Sequence, residues 1–119
     1  MSASPTATSS GLALAAPADE VFEVLASGGG VLVERIVSAG HASEPGWWLE
    51  QERDEWVALL EGEATLAFEE DGATLRLVPG DHVLIPAGER HRVESTRSEP
   101  PSVWLAVHVS GLQRPPSVR

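Results

Sequence analysis

Glycine and proline cut this chain into short lengths, and that punctuation constrains its fold more than any other feature. Of 119 residues, 11 are glycine and 9 are proline. Those that separate the apolar runs fall at Gly28-Gly29-Gly30, Gly62, Gly72, Pro79-Gly80, Pro86-Ala87-Gly88 and Pro100-Pro101. Between them lie runs rich in β-branched and apolar residues, at 31–37, 55–70, 73–78, 81–86, 91–96 and 103–109. Such runs suit strands, and Gly62 divides the longest of them with a bend or bulge. Asp71-Gly72 is a hairpin signal between the second and third runs. A series of short strands with almost no helix specifies an all-β antiparallel sandwich or barrel. One helical exception is expected at 17–26, where a proline start and early acids precede Val21, Phe22, Val24 and Leu25 in two-turn spacing. Residues 1–16 and 112–119, small, polar and proline-containing, read as loose tails around a single domain at 17–111.

The formal charge is −10, and every one of the eight basic residues is arginine. Such a surface repels phosphate backbones and anionic lipid, so no nucleic-acid or membrane partner is expected. No apolar run reaches the length of a membrane span. The segment "GLALAAPA" at 11–18 lacks the positive region of an export signal, so the expected location is cytoplasmic. Cysteine is absent, so any metal must be held by imidazole, carboxylate or amide.

Two spacings carry the chemistry. Glu55 is followed by six residues and Gly62. Gly80 is followed by five residues, then Pro86-Ala87-Gly88, two more residues and His91. Together they resemble the two signature motifs of the cupin superfamily, in its small single-domain form, over residues 31–109. The first family motif is G-x5-H-x-H-x3–4-E-x6-G and the second is G-x5-P-x-G-x2-H-x3-N. The second is nearly complete here, with Ser95 in the place of the asparagine. The first keeps its glutamate and closing glycine but not its histidine pair. Under the longer spacing that pair falls on Trp48 and Glu50, and under the shorter on Leu49 and Gln51.

The resemblance implies a jelly-roll β-barrel whose interior holds a divalent metal such as Fe, Mn, Zn or Ni. On this sequence the implied ligands are Glu55 and His91, with Gln51 supplying an amide oxygen. Glu50, His41 and His108 are further candidates. Family reactions run from dioxygenation to isomerisation and lyase chemistry, and fold alone does not choose among them. No catalytic residue is specified beyond Glu55 as a candidate base.

Strand alternation adds detail. Glu55 and Val57 share one face, as do His91 and Val93, while Trp56 faces away from Glu55. A carboxylate on an apolar inner face is costly unless a cation or hydrogen-bond donor meets it. His108 shares a face with Trp104 and Ala106, where a satisfied core histidine is the plainer reading. His41 belongs to a loop that can close over the mouth, His82 alternates outward, and Asp81 suits a turn cap. Trp47 and Trp48 can wall a pocket, staple their loop or join a subunit interface. Edge pairing through 31–37 or the last strand suggests a homodimer. Three functions are therefore open. They are a metal-dependent enzyme on a small organic molecule, a metal-free sensor or accessory cupin binding such a molecule, and a metal-free acid/base enzyme.

Overall fold

The computed structural model describes residues 20–113. Eight strands run in chain order: β1 (Val21–Gly28), β2 (Val31–Ser38), β3 (Asp54–Glu61), β4 (Ala64–Phe68), β5 (Thr74–Leu77), β6 (His82–Ile85), β7 (His91–Thr96) and β8 (Ser102–Val109). They build a five-stranded sheet in the order β1-β2-β8-β3-β6 and a three-stranded sheet in the order β5-β4-β7. All the strand pairings are antiparallel, an arrangement that fits a jelly roll. No helix among the described residues is long and apolar enough to cross a membrane.

The helical expectation at 17–26 is corrected. Residues 17–19 lie outside the described residues, and Val21–Gly28 is strand. Gly28 pairs with Val31 across Gly29-Gly30, whose φ angles of 58° and 84° are both positive. That is the backbone a two-residue hairpin turn requires, and glycine adopts it without strain. A register shift between Val24 and Ala26 breaks the two-residue alternation of β1. With alternation interrupted, the apolar residues fall at spacings that also suit a helix. The loose tail expected at 1–16 lies outside the described residues, as does most of the one at 112–119. Leu112, at the start of the latter, donates its N–H to Asp54 Oδ2 at 2.8 Å.

The two sheets share one core. Ile36, Val57, Leu59, Trp104 and Ala106 from the larger sheet cluster with Ala64, Leu66, Leu77 and Val93 from the smaller. Leu49 joins them and forms an isolated bridge with His91, with Leu49 N donating to His91 O at 2.7 Å. This bridge lays the first-motif segment alongside β7. Gly62 bends the chain between β3 and β4 with φ at 88°, so the long run at 55–70 contributes one strand to each sheet.

Candidate functional site

Three strands of the larger sheet bring polar side chains to the inner face at one end of the core. Glu55 on β3 is fully buried and lies opposite His108 on β8. His108 Nε2 donates to Glu34 Oε1 on β2 at 3.1 Å, and both side chains are buried. Glu34 was not singled out from the sequence. It shares a strand face with Ile36, and only the structure shows that this face is the inward one. Burial pushes the Glu55 carboxyl up, the neighbouring His108 opposes that, and Glu34 adds to it.

His91 opens β7 and points inward with Val93. Its Nδ1 lies 3.0 Å from the carbonyl oxygen of Glu89. A carbonyl only accepts, so Nδ1–H donates to it. Burial lowers the imidazole's proton affinity, with the Glu89 contact working the other way. The neutral ring therefore carries its lone pair on Nε2. That nitrogen is buried and meets no hydrogen-bond partner, and neither do the two carboxylate oxygens of Glu55.

Leu49 bridges to His91 and packs in the core, while Gln51 is part-buried with its Oε1 wholly shielded from solvent. Glu50 is mainly exposed and faces Arg90 at 3.8 Å. The shorter motif register thus places Leu49 and Gln51 inward, and Glu50 is not turned toward the interior. His41 lies away from the cluster in the 39–43 loop, where its Nδ1 accepts the Ala39 N–H at 2.9 Å. His82 is exposed and stacks on Trp56 at 5.6 Å, and Asp81 Oδ2 accepts the Val78 N–H across its turn at 2.9 Å.

A cavity of ≈ 290 Å³ adjoins this region. Phe22, Leu49 and Val93 form its apolar floor, and Trp47, His41 and Glu20 line it as well. Trp47 is 58% exposed, so its ring is open to an incoming molecule. Trp48 does not line the cavity, and Val57 belongs wholly to the core.

Asp54 holds the surrounding loops. Its Oδ1 accepts the Ala87 N–H at 2.8 Å, which fixes the Pro86-Ala87-Gly88 corner preceding His91. These backbone donors, Ala87 first and Leu112 second, hold its carboxyl below the ordinary carboxylate range. A depressed pKa contributes stability above the unfolded-state pKa that is lost as pH falls through the folded value. Asp54→Asn is expected to lower Tm at about pH 7, with a smaller gap to wild type at about pH 2, below the ordinary carboxylate range. Thermal melts at the two pH values check this, and an equal gap at both would show that the charge is not its source.

The residues present fit a cation, though a weakly held one. His91 offers an Nε2 lone pair fixed by its other nitrogen, the arrangement usual for a metal-binding imidazole. Glu55 offers two oxygens without partners. Among the described residues no group of three or more His, Cys, Asp and Glu is placed to hold a metal. The motif register turns one further oxygen donor inward, the Gln51 amide, a poorer ligand than imidazole for transition metals.

Comparisons with known proteins agree with this frame. A family model described as "Cupin domain" matches residues 35–108. No curated protein matches significantly. Among solved structures, the chain is similar to a Ralstonia eutropha JMP134 protein named "putative mannose-6-phosphate isomerase". The two share 43% identity over 80% of this chain and 88% of that one, with a TM-score of 0.77. A cupin superfamily protein from Desulfitobacterium hafniense DCB-2 is 20% identical over 82% and 83% of the two chains, with a TM-score of 0.68. A Rhizobium leguminosarum protein of unknown function gives 20% identity, coverage of 80% and 85%, and a TM-score of 0.64.

Proposed function

The chain belongs to the cupin domain family, and from that premise we propose that it binds a divalent metal and a small organic molecule inside its barrel. His91 Nε2, the Glu55 carboxylate and the Gln51 amide would hold the metal. The observation that carries this reading is the burial of His91 Nε2 and both Glu55 oxygens without a hydrogen-bond partner. Polar atoms so placed cost about 1–3 kcal/mol each unless something meets them. When bound, the metal would supply Lewis-acid polarisation of a substrate oxygen.

The chain's own residues shape what enters. Trp47 presents an aromatic face, and Glu20 and Glu44 bring carboxylates to the cavity wall. No arginine is among the described residues that line it. The Arg92 guanidinium stands beside this wall, donating to the Ser43 and Glu44 carbonyls at 3.0 Å and 3.3 Å, so the charge near the cavity is mixed. The sugar phosphate in the Ralstonia protein's name does not transfer with the fold alone. Glu55 has a second capacity. Without a cation beside it, burial favours its protonated form, so the same side chain can hold a proton near the substrate.

Calorimetric titration of chelator-stripped protein with Mn²⁺, Fe²⁺, Zn²⁺ or Ni²⁺ tests the assignment. One site per chain is expected, weakened by on the order of 100-fold in the His91→Ala variant. Equal affinity in the variant would refute it. The packing of Leu49 where the family has a histidine favours one other reading, a metal-free binding cupin. Small-molecule binding that is unchanged by chelator would select that reading.

A further inference from the structure

We propose that Glu34 determines the specificity of the interior site, selecting an organic molecule that presents a hydrogen-bond donor, an alcohol or a protonated amine, over one that presents an anion. The inference rests on the reading above, in which a metal and a small molecule share the barrel, and it names the molecule's class. Glu34 belongs to neither signature motif. It lies on β2, with His108 on β8 and Glu55 on β3 next in order across the sheet. The sequence suggested β2 or β8 as an edge for pairing with a second copy, but both are interior strands, each hydrogen-bonded on its two sides. Glu34, His108 and Glu55 therefore stand on three adjacent strands, all of them buried. One Glu34 oxygen accepts the His108 Nε2–H at 3.1 Å. The other, Oε2, is shut off from solvent and has no hydrogen-bond partner. A link between β2 and β8 needs only the first oxygen, so the second is a desolvated acceptor with no structural task.

The groups that share this interior are alike in kind. Glu34 Oε2, both Glu55 oxygens and His91 Nε2 are buried, lack partners, and accept hydrogen bonds. Arg92 Nε is buried without a partner as well, but its side chain alternates outward on β7 between the inward His91 and Val93. The Arg92 guanidinium is engaged by the Ser43 and Glu44 carbonyls and by Glu94. A cation satisfies acceptors that converge on it, and the metal set proposed above takes Glu55 and His91. Glu34 is not part of that convergence, because no group of three or more His, Cys, Asp and Glu among the described residues is placed around one point. Its Oε2 therefore falls to the organic molecule. Whatever meets a buried carboxylate oxygen must bring a proton, and a hydroxyl or an ammonium does so. A carboxylate or phosphate would instead set a second anion beside one already out of water.

NMR-monitored titration of the full chain, saturated with zinc at about pH 7, tests this with benzyl alcohol, benzylamine and benzoate. The probes are alike in size and differ in the group they present. The alcohol or the amine is expected to bind about tenfold or more tightly than benzoate. A tighter amine identifies the donor as an ammonium, and a tighter alcohol identifies it as a hydroxyl. Glu34→Gln keeps the side chain's shape and its bond from His108 but puts an NH2 where Oε2 stood. The preference over benzoate is expected to shrink by about tenfold in that variant, or to reverse. Because ratios are compared at saturating zinc, a change in metal affinity does not enter the result. If the variant does not fold, the wild-type order alone decides. Benzoate bound as tightly as the other two, no binding of any probe to the zinc-loaded protein, or an unchanged preference in Glu34→Gln overturns the proposal and leaves the metal assignment standing. Zinc that does not bind overturns the metal assignment instead, and the same ratios measured on metal-free protein then decide the role of Glu34.

Discussion

Replacing Gly62 with alanine is expected to destabilise the fold by about 3–5 kcal/mol, from the joint cost of backbone strain and overpacking. Gly62 has φ at 88°, which an alanine adopts only with strain. A Cβ built there would lie 2.5 Å from Ser102 Oγ, 2.6 Å from Ser102 Cα and 3.0 Å from the Pro101 carbonyl oxygen. Ser102 cannot simply move aside. It is fully buried, its Oγ donates to the Glu63 carbonyl at 3.0 Å, and it accepts from the N–H groups of Glu63 and Arg97 at 3.2 Å. These bonds join β8 to the start of β4 exactly where the chain passes between sheets, so relief of the clash comes at the expense of that junction. Denaturant unfolding of the variant measures the loss. A change below about 1 kcal/mol would mean the approach of Gly62 to Ser102 is not a structural constraint.

The second large effect has the opposite sign. Glu55→Met is expected to stabilise chelator-treated protein by about 1–3 kcal/mol while removing metal binding. Glu55 is fully buried and neither oxygen finds a donor, so an apolar side chain of similar length suits the position better when no cation is present. The effect depends on pH. A carboxyl whose folded pKa is raised by burial keeps its proton in the fold after the unfolded chain has lost it. Wild-type stability therefore falls as pH rises above the ordinary carboxylate range, until the folded carboxyl also ionises. The Glu55→Met variant lacks this fall, so its advantage grows with pH across that window. Metal at about 1,000 times its Kd reverses the order by adding ~4.1 kcal/mol to wild type alone. A Glu55→Met variant less stable than metal-free wild type at every pH would assign Glu55 to the scaffold instead of the site.

Much of the fold was legible because its signals are local. Glycine and proline marked the turns, and the β-branched and apolar runs between them became β2 to β8 with small shifts at the ends. The failure at β1 is also local in cause, since the bulge after Val24 erased the alternation that distinguishes strand from helix. Site legibility followed spacing. His91, Glu55 and Gln51 could be located because the motifs fix their offsets, although the two motif spacings kept Glu50 as an alternative to Gln51. Only the Leu49–His91 bridge separates them, and a bridge between segments forty residues apart has no local signature. Glu34 was missed for a related reason. Its partner His108 lies 74 residues away, and nothing within "VLVERIV" tells an inward acid from a solvated one.

The central claim is that a cation belongs between His91 and Glu55. Anomalous difference density from crystals grown with Mn²⁺ or Zn²⁺ tests it most directly. The expected result is one strong peak inside the barrel, bonded to His91 Nε2 and a Glu55 oxygen, with the Gln51 amide turned toward it. An interior with no anomalous peak, and metal found only at surface carboxylates, would contradict the claim.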